Sequence, residues 1–156
     1  MGYISEELKN AAHKLDIFIF TVDESTALKI RKKLAENFTS DGGNFPYRIS
    51  WQNLVNYESA HRPDDGWMLV GDFVGNEEVF LFISPDQEKT IWKIQSGTDL
   101  VLVLGECFGF PFCVTSENAE YILCLDDHDC LIGSGRVVEW IQKLKNIHKT
   151  VKGRDF

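Results

Sequence analysis

Val79-Phe80-Leu81-Phe82-Ile83 is the stretch on which the fold turns. Five consecutive apolar residues, β-branched at both ends and aromatic within, are too few for a typical helix and rich in strand formers. No other run in the chain is so strand-like. On its C-terminal side Ser84-Pro85-Asp86 turns the chain, and Thr90-Ile91-Trp92-Lys93-Ile94 reads as a second strand. On its N-terminal side Gly75-Asn76 supplies a hairpin turn. The nearly unbroken apolar run from Trp67 to Phe73 then reads as a strand before it, and the three make a β-meander. Phe110-Pro111-Phe112-Cys113-Val114-Thr115 and Tyr121-Ile122-Leu123-Cys124-Leu125 predict a further hairpin, joined through 116–119. Pro111 puts the first of these at a strand start or a sheet edge.

Outside this block the apolar period changes from two to 3.6 residues. Ser5 caps a first helix whose inner face is Leu8, Ala11, Ala12 and Leu15. Asp23 caps a second with Ala27, Ile30, Leu34 and Phe38 inward, and Lys29, Arg31, Lys32 and Lys33 on a solvated face. Thr98 caps a third through Leu100, Val103, Leu104, Cys107 and Phe108, stopped by Gly109. The last carries Val137, Trp140, Ile141 and Leu144 inward, with Lys143, Lys145 and Lys149 near its C-terminus, where the dipole favours cations. Ile17-Phe18-Ile19-Phe20 predicts a short strand covered on both sides, or one buried beside another element. The run 40–44 is a breaker, Tyr47-Arg48-Ile49 a brief strand, and Ser50 the cap of a helical turn through Trp51, Leu54 and Val55. Residues 58–66 read as a polar loop. The expected fold is α+β, a single domain of 156 residues: a central, largely antiparallel sheet of meander plus hairpin, packed with N- and C-terminal helices.

The net charge is −8. It is concentrated: residues 65–130 hold thirteen acids and only Lys89 and Lys93, net −11, whereas 131–156 hold two acids and six bases, net +4. Such a balance argues against direct nucleic-acid binding, which needs a surplus of Lys and Arg. A concentrated field of one sign accelerates encounter with a partner of the other sign. Asp64, Asp65, Asp72, Glu77, Glu78, Asp86 and Glu88 flank the predicted turns and would form one acidic rim if those turns share an edge. The alternative is that they protect exposed strands from edge pairing. Trp67, Trp92 and Trp140 read as core, and Trp51, beside polar loops, equally as core or as a surface anchor.

The four cysteines, Cys107, Cys113, Cys124 and Cys130, are separated by 6, 11 and 6 positions, which is no zinc spacing. Three of them adjoin large apolar residues and read as core thiols. The first residues lack the basic start and apolar run of a secretory signal, and no apolar run approaches the roughly 20 residues of a membrane span. The expected compartment is therefore a reducing cytoplasm, with no membrane partner.

Asp126-Asp127-His128-Asp129 is the densest polar cluster. Carboxylate and imidazole are metal-ligand types, but four successive turn residues point in different directions and no second ligand group stands at helical spacing. A Cys/His nucleophile pair could form from one of the thiols with His61, His128 or His148, and would need a lowered thiol pKa. No phosphate-binding loop, nucleophile elbow or dinucleotide fingerprint is present, so no cofactor is expected.

The text from Glu106 to Thr115, the text from Tyr121 to Gly135, and Trp140 resemble small acidic bacterial immunity (antitoxin) type proteins of polymorphic toxin systems. The resemblance covers residues 66–140 and rests on core and turn positions. It implies a cytoplasmic, non-enzymatic inhibitor that binds one cognate toxin stoichiometrically. The partner would be a basic domain such as a nuclease, whose phosphate-binding cleft carboxylates can fill. The partner-binding residues would be the seven acids of the rim with Asp126, Asp127, Asp129 and Trp51. A small hydrolase using the 126–129 cluster and a general interaction module are the alternatives.

Overall fold

The computed structural model describes the backbone of residues 3–40, 42, 47, 49 and 51–154, and the side chains of these up to 146. Arg48 of the expected 47–49 strand, the Ser50 cap and the side chains of His148 and Lys149 lie outside the described residues.

Strands form at Ile19–Thr21 (β1), Glu58–His61 (β2), Val79–Phe82 (β3), Trp92–Ile94 (β4), Phe112–Thr115 (β5), Tyr121–Leu125 (β6) and Cys130–Gly135 (β7). Helices form at Tyr3–Leu15 (α1), Glu24–Phe38 (α2), Gly66–Val74 (α3), Gly97–Gly105 (α4) and Val137–Arg154 (α5). The strands make one seven-stranded sheet in the order β1-β4-β3-β5-β6-β7-β2, antiparallel at every pairing. The fold is α+β, with helices at both ends of the chain packed on an antiparallel sheet.

β3 is central because both of its faces are apolar. Val79 and Leu81 point into a core shared with α1, α3, α4 and α5. Phe80 and Phe82 point into a second core under α2, closed by Ile49 and Leu54. A period of two on a strand puts alternate residues on opposite faces, so burying both faces produces an unbroken apolar run. β5 and β6 follow the same rule, with Cys113 opposite Cys124 in the α2 core. All four cysteines are free.

The run from Trp67 to Phe73 is helix α3, which corrects the expected first strand of a meander. Gly66, Val70, Gly71 and Val74 are its buried residues, at helical spacing. Its other sides carry Trp67, Leu69 and Phe73, half-buried against the same core, so the sequence looks apolar all round. Gly75, at φ 64°, ends the helix by donating to the Gly71 carbonyl at 2.9 Å, and the expected hairpin turn is this cap. What remains of the meander is the β3–β4 pair; the other neighbour of β3 is β5.

Five smaller expectations also change. Ser5 lies inside α1, which begins at Tyr3, rather than capping it. β1 is an edge strand bonded only to β4, and Phe18 and Phe20 lie exposed, stacked 6.3 Å apart, rather than covered on both sides. The 58–66 loop contains β2, the opposite edge, held to β7 by pairs from Glu58↔Gly133 to His61↔Cys130. Residues 51–55 make turns and an isolated bridge, Thr39↔Leu54, in place of a helical turn. Ser96 rather than Thr98 caps α4, accepting from the Asp99 N–H at 3.2 Å, and the helix ends at Gly105, leaving Cys107 and Phe108 in the following loop. Among the described residues no helix is long and apolar enough to cross a membrane.

Asp23 does cap α2: its carboxylate accepts from the Thr26 N–H at 2.8 Å and the Thr26 hydroxyl at 3.0 Å. Those bonds favour the ionised form and hold its pKa below the ordinary 3.8. A depressed carboxylate pKa stabilises the fold fully above 3.8, and the contribution disappears as pH falls through the lowered folded value. Asp23→Ala should therefore lower the melting temperature by a few degrees at pH 7. The difference from the parent should close as the pH of the melts is taken towards the acid limit.

Candidate functional site

The antiparallel topology sorts the acidic turns to two opposite ends of the sheet. The register of β3 against β4 and β5 places Glu77 and Glu78 at the end that also holds the β5–β6 turn. There they are neutralised: Glu77 pairs with Arg136 at 2.9 Å and Glu78 with Lys93 at 3.3 Å. The opposite end gathers Asp86 and Glu88 from the β3–β4 loop, Asp126, Asp127 and Asp129 from the β6–β7 loop, and Asp64 and Asp65 beyond β2. Asp72 lies exposed on α3, apart from either turn cluster. The expected single rim is thus two groups, the first paired with Arg136 and Lys93 and the second at the end that holds the 126–129 loop.

Within that group the roles differ. Asp65 is held by Arg62 through two bonds of 3.1 and 2.7 Å. Glu88 accepts from the Thr90 N–H and hydroxyl, at 3.3 and 2.7 Å. Asp126 stabilises its own loop: one carboxylate oxygen accepts from the His128 N–H at 2.8 Å and the Cys130 N–H at 2.9 Å. Asp129 takes the left-handed φ of 60° that closes the loop, which Asp tolerates better than most residues. Its carbonyl accepts from the Arg62 N–H at 2.9 Å, joining this loop to the segment after β2. The loop therefore presents Asp127 and Asp129 outward on a fixed backbone.

These carboxylates stand over a cleft of about 530 Å³. Trp67, Leu104, Phe110, Phe112 and Leu125 supply its apolar wall, and Asp126, Asp127 and Asp129 its polar side; no Lys, Arg or His lines it. Phe108 stands at its edge with 81% of its surface exposed. Its backbone is fixed, because the Phe108 N–H donates to Glu7 on α1 at 2.8 Å. A second cleft, of about 310 Å³, adjoins the first: Trp51, Ile83 and Gln87 line it together with Pro111, Phe112 and Asp127, which belong to both. Trp51 and Asp127, distant in sequence, are thereby brought to one surface. Phe108, Phe110 and Pro111 were read as helix or strand residues. The flanking Gly105 and Gly109 were the signal that this stretch leaves regular structure.

The hydrolase chemistry finds little support here. His128 lies 3.7 Å from Asp127, both are well exposed, and His128 is outside the cleft lining. His61 is opposite Cys130 in the β2–β7 register. Burial, Asp126 and Asp129 all raise the Cys130 pKa, the reverse of what an attacking thiol needs. Burial, with Glu7 and Glu106, pushes Cys107 up to about 11, and burial likewise raises Cys124. Among the described residues no group of three or more His, Cys, Asp and Glu is placed to hold a metal ion. The cleft thus sets an apolar wall beside outward carboxylates, with no Lys, Arg or His among its described lining residues.

No family model, curated protein or solved structure matches the chain.

Proposed function

We propose that this protein is an immunity-type inhibitor that acts in the cytoplasm, binding the basic cleft of a cognate toxin, a nuclease domain, through the surface formed by the 126–129 loop and the aromatic wall beside it. The observation that carries the reading is the pairing of outward Asp127 and Asp129 with the exposed Phe108 around one base-free cleft. Carboxylates on a rigid loop take the place of substrate phosphates, and their field speeds encounter. An exposed aromatic beside them supplies the desolvated contact that slows dissociation.

Co-expression with a candidate toxin reading frame, sought beside its own gene, tests this. The parent protein should restore growth, and the Asp127→Lys/Asp129→Lys protein should not. Full protection by the charge-reversed protein would remove the electrostatic basis of the proposal. Phe108→Ala should weaken toxin binding about tenfold or more, the loss of one buried aromatic contact. Because Phe108 is so exposed, the same change should shift stability by no more than about 0.5 kcal/mol. Affinity by calorimetry and melting by circular dichroism separate the two effects.

A further inference from the structure

Arg31 belongs to the basic run of α2, yet it is only 3% exposed. Its Nη2 donates to three main-chain carbonyls of the β3–β4 connection, Ile83 at 3.3 Å, Glu88 at 3.4 Å and Lys89 at 3.5 Å. Those are long bonds, and all three fall on one nitrogen. Nε and Nη1 are buried and find no acceptor among the described residues. The guanidinium lies 5.2 Å above the Phe82 ring, which offsets part of its charge but accepts no conventional hydrogen bond. Burial lowers its pKa to about 10, a sign that the charge is poorly compensated. A buried cation retained without a carboxylate is costly, and a hydrogen-bonded anion would offset that cost.

Arg31 also lines a cavity of about 590 Å³ between α2 and the β3–β4 connection. The walls are apolar on one side, from Val22, Ala27, Leu28 and Pro85. Lys89 and Thr90 line it as well, and Glu24 is its only acid, so the lining carries two cations against one anion in a protein of net charge −8. We propose that this cavity is a binding site for a small carboxylate with an apolar tail, its carboxylate accepting from Arg31 and attracted by Lys89, its tail against Val22, Ala27 and Leu28. Nε and Nη1 are closed to solvent, so the carboxylate reaches them only when side chains of the lining shift. The site is separate from the aromatic cleft and does not depend on toxin binding.

Hexanoate is the probe, titrated into the whole protein by calorimetry and by ¹H–¹⁵N spectra of the arginine Nε–H groups. Hexanoate should bind saturably and move the Arg31 Nε–H resonance; acetate, lacking the tail, and 1-hexanol, lacking the charge, should each bind about tenfold more weakly or less. Arg31→Met should abolish binding. Because that change also frees three carbonyls, Lys89→Glu, on an exposed residue, serves as the second variant and should weaken hexanoate about tenfold with an unaltered melting temperature. Absence of saturable hexanoate binding, an Arg31 Nε–H that does not respond, or equal affinity in the Lys89→Glu protein would overturn the assignment.

Discussion

Gly97→Ala should cost about 3 kcal/mol and lower the melting temperature by roughly 6–12 °C. A Cβ at position 97 would fall 2.1 Å from the Gly71 carbonyl oxygen and 3.0 Å from the Gly75 nitrogen. Those are backbone atoms of α3 and its cap, so no side chain can rotate away. The Gly97 N–H also donates to the Gly75 carbonyl at 2.8 Å, so moving α4 outward would break that bond as well. The approach is reciprocal, since a Cβ on Gly71 would sit 2.8 Å from the Gly97 oxygen and 2.2 Å from Val101. Gly109→Ala is the control: an added Cβ there meets nothing within 4 Å. It should be neutral or raise stability by about 0.5 kcal/mol through the unfolded chain. Chemical denaturation of the two variants decides the matter; similar midpoints would mean that α3 and α4 do not pack through these glycines.

Phe82→Ala should be the second severe change, at about 4 kcal/mol, or roughly 8–16 °C. Phe82 is completely buried in the central strand, in the core under α2. Its loss opens a cavity that close-packed neighbours fill only in part. It also removes the ring beneath the Arg31 guanidinium. Phe82→Leu keeps most of the volume and should cost about 1.5 kcal/mol. A Phe82→Ala protein that melts within 2–3 °C of the parent, about the effect of 1 kcal/mol, would contradict this packing.

The readable parts of the fold were those where burial followed a single period. β3, β5, β6, α2 and α5 each show their apolar pattern in sequence, and Asp23 announces its helix. Two of the failures, α3 and Arg31, share a cause: tertiary contact on the side expected to be free. α3 packs against both the sheet core and α4, so its second face is apolar and Gly71 serves helix contact. Arg31 hides inside a basic run, although it stands four residues after Ala27 and three before Leu34, on the stripe that α2 buries. β2 shows no apolar alternation because an edge strand carrying Glu58 and His61 needs little. Of the site, the 126–129 cluster was legible as a polar turn, whereas Trp51, half-buried against the α2 core, was not distinguishable from a core residue by local pattern. That they share a surface with Phe108 and Pro111 depends on strand order, which local pattern does not encode. The segment count located the acidity in the chain, and the antiparallel register then divided it between two ends of the sheet.

The central claim is that carboxylates of one loop recognise a basic toxin surface. The most direct measurement is the affinity of the purified protein for a candidate toxin domain, sought among the products of the genes beside its own. It should be measured at low and high salt, with Asp127→Lys/Asp129→Lys alongside the parent. The account predicts tight parental binding whose association rate falls steeply as salt rises. A loss of at least about a hundredfold is expected on charge reversal, since like charges meeting across an interface cost several kcal/mol. No binding by the parent protein, or equal affinity and equal salt dependence for the two proteins, would contradict it.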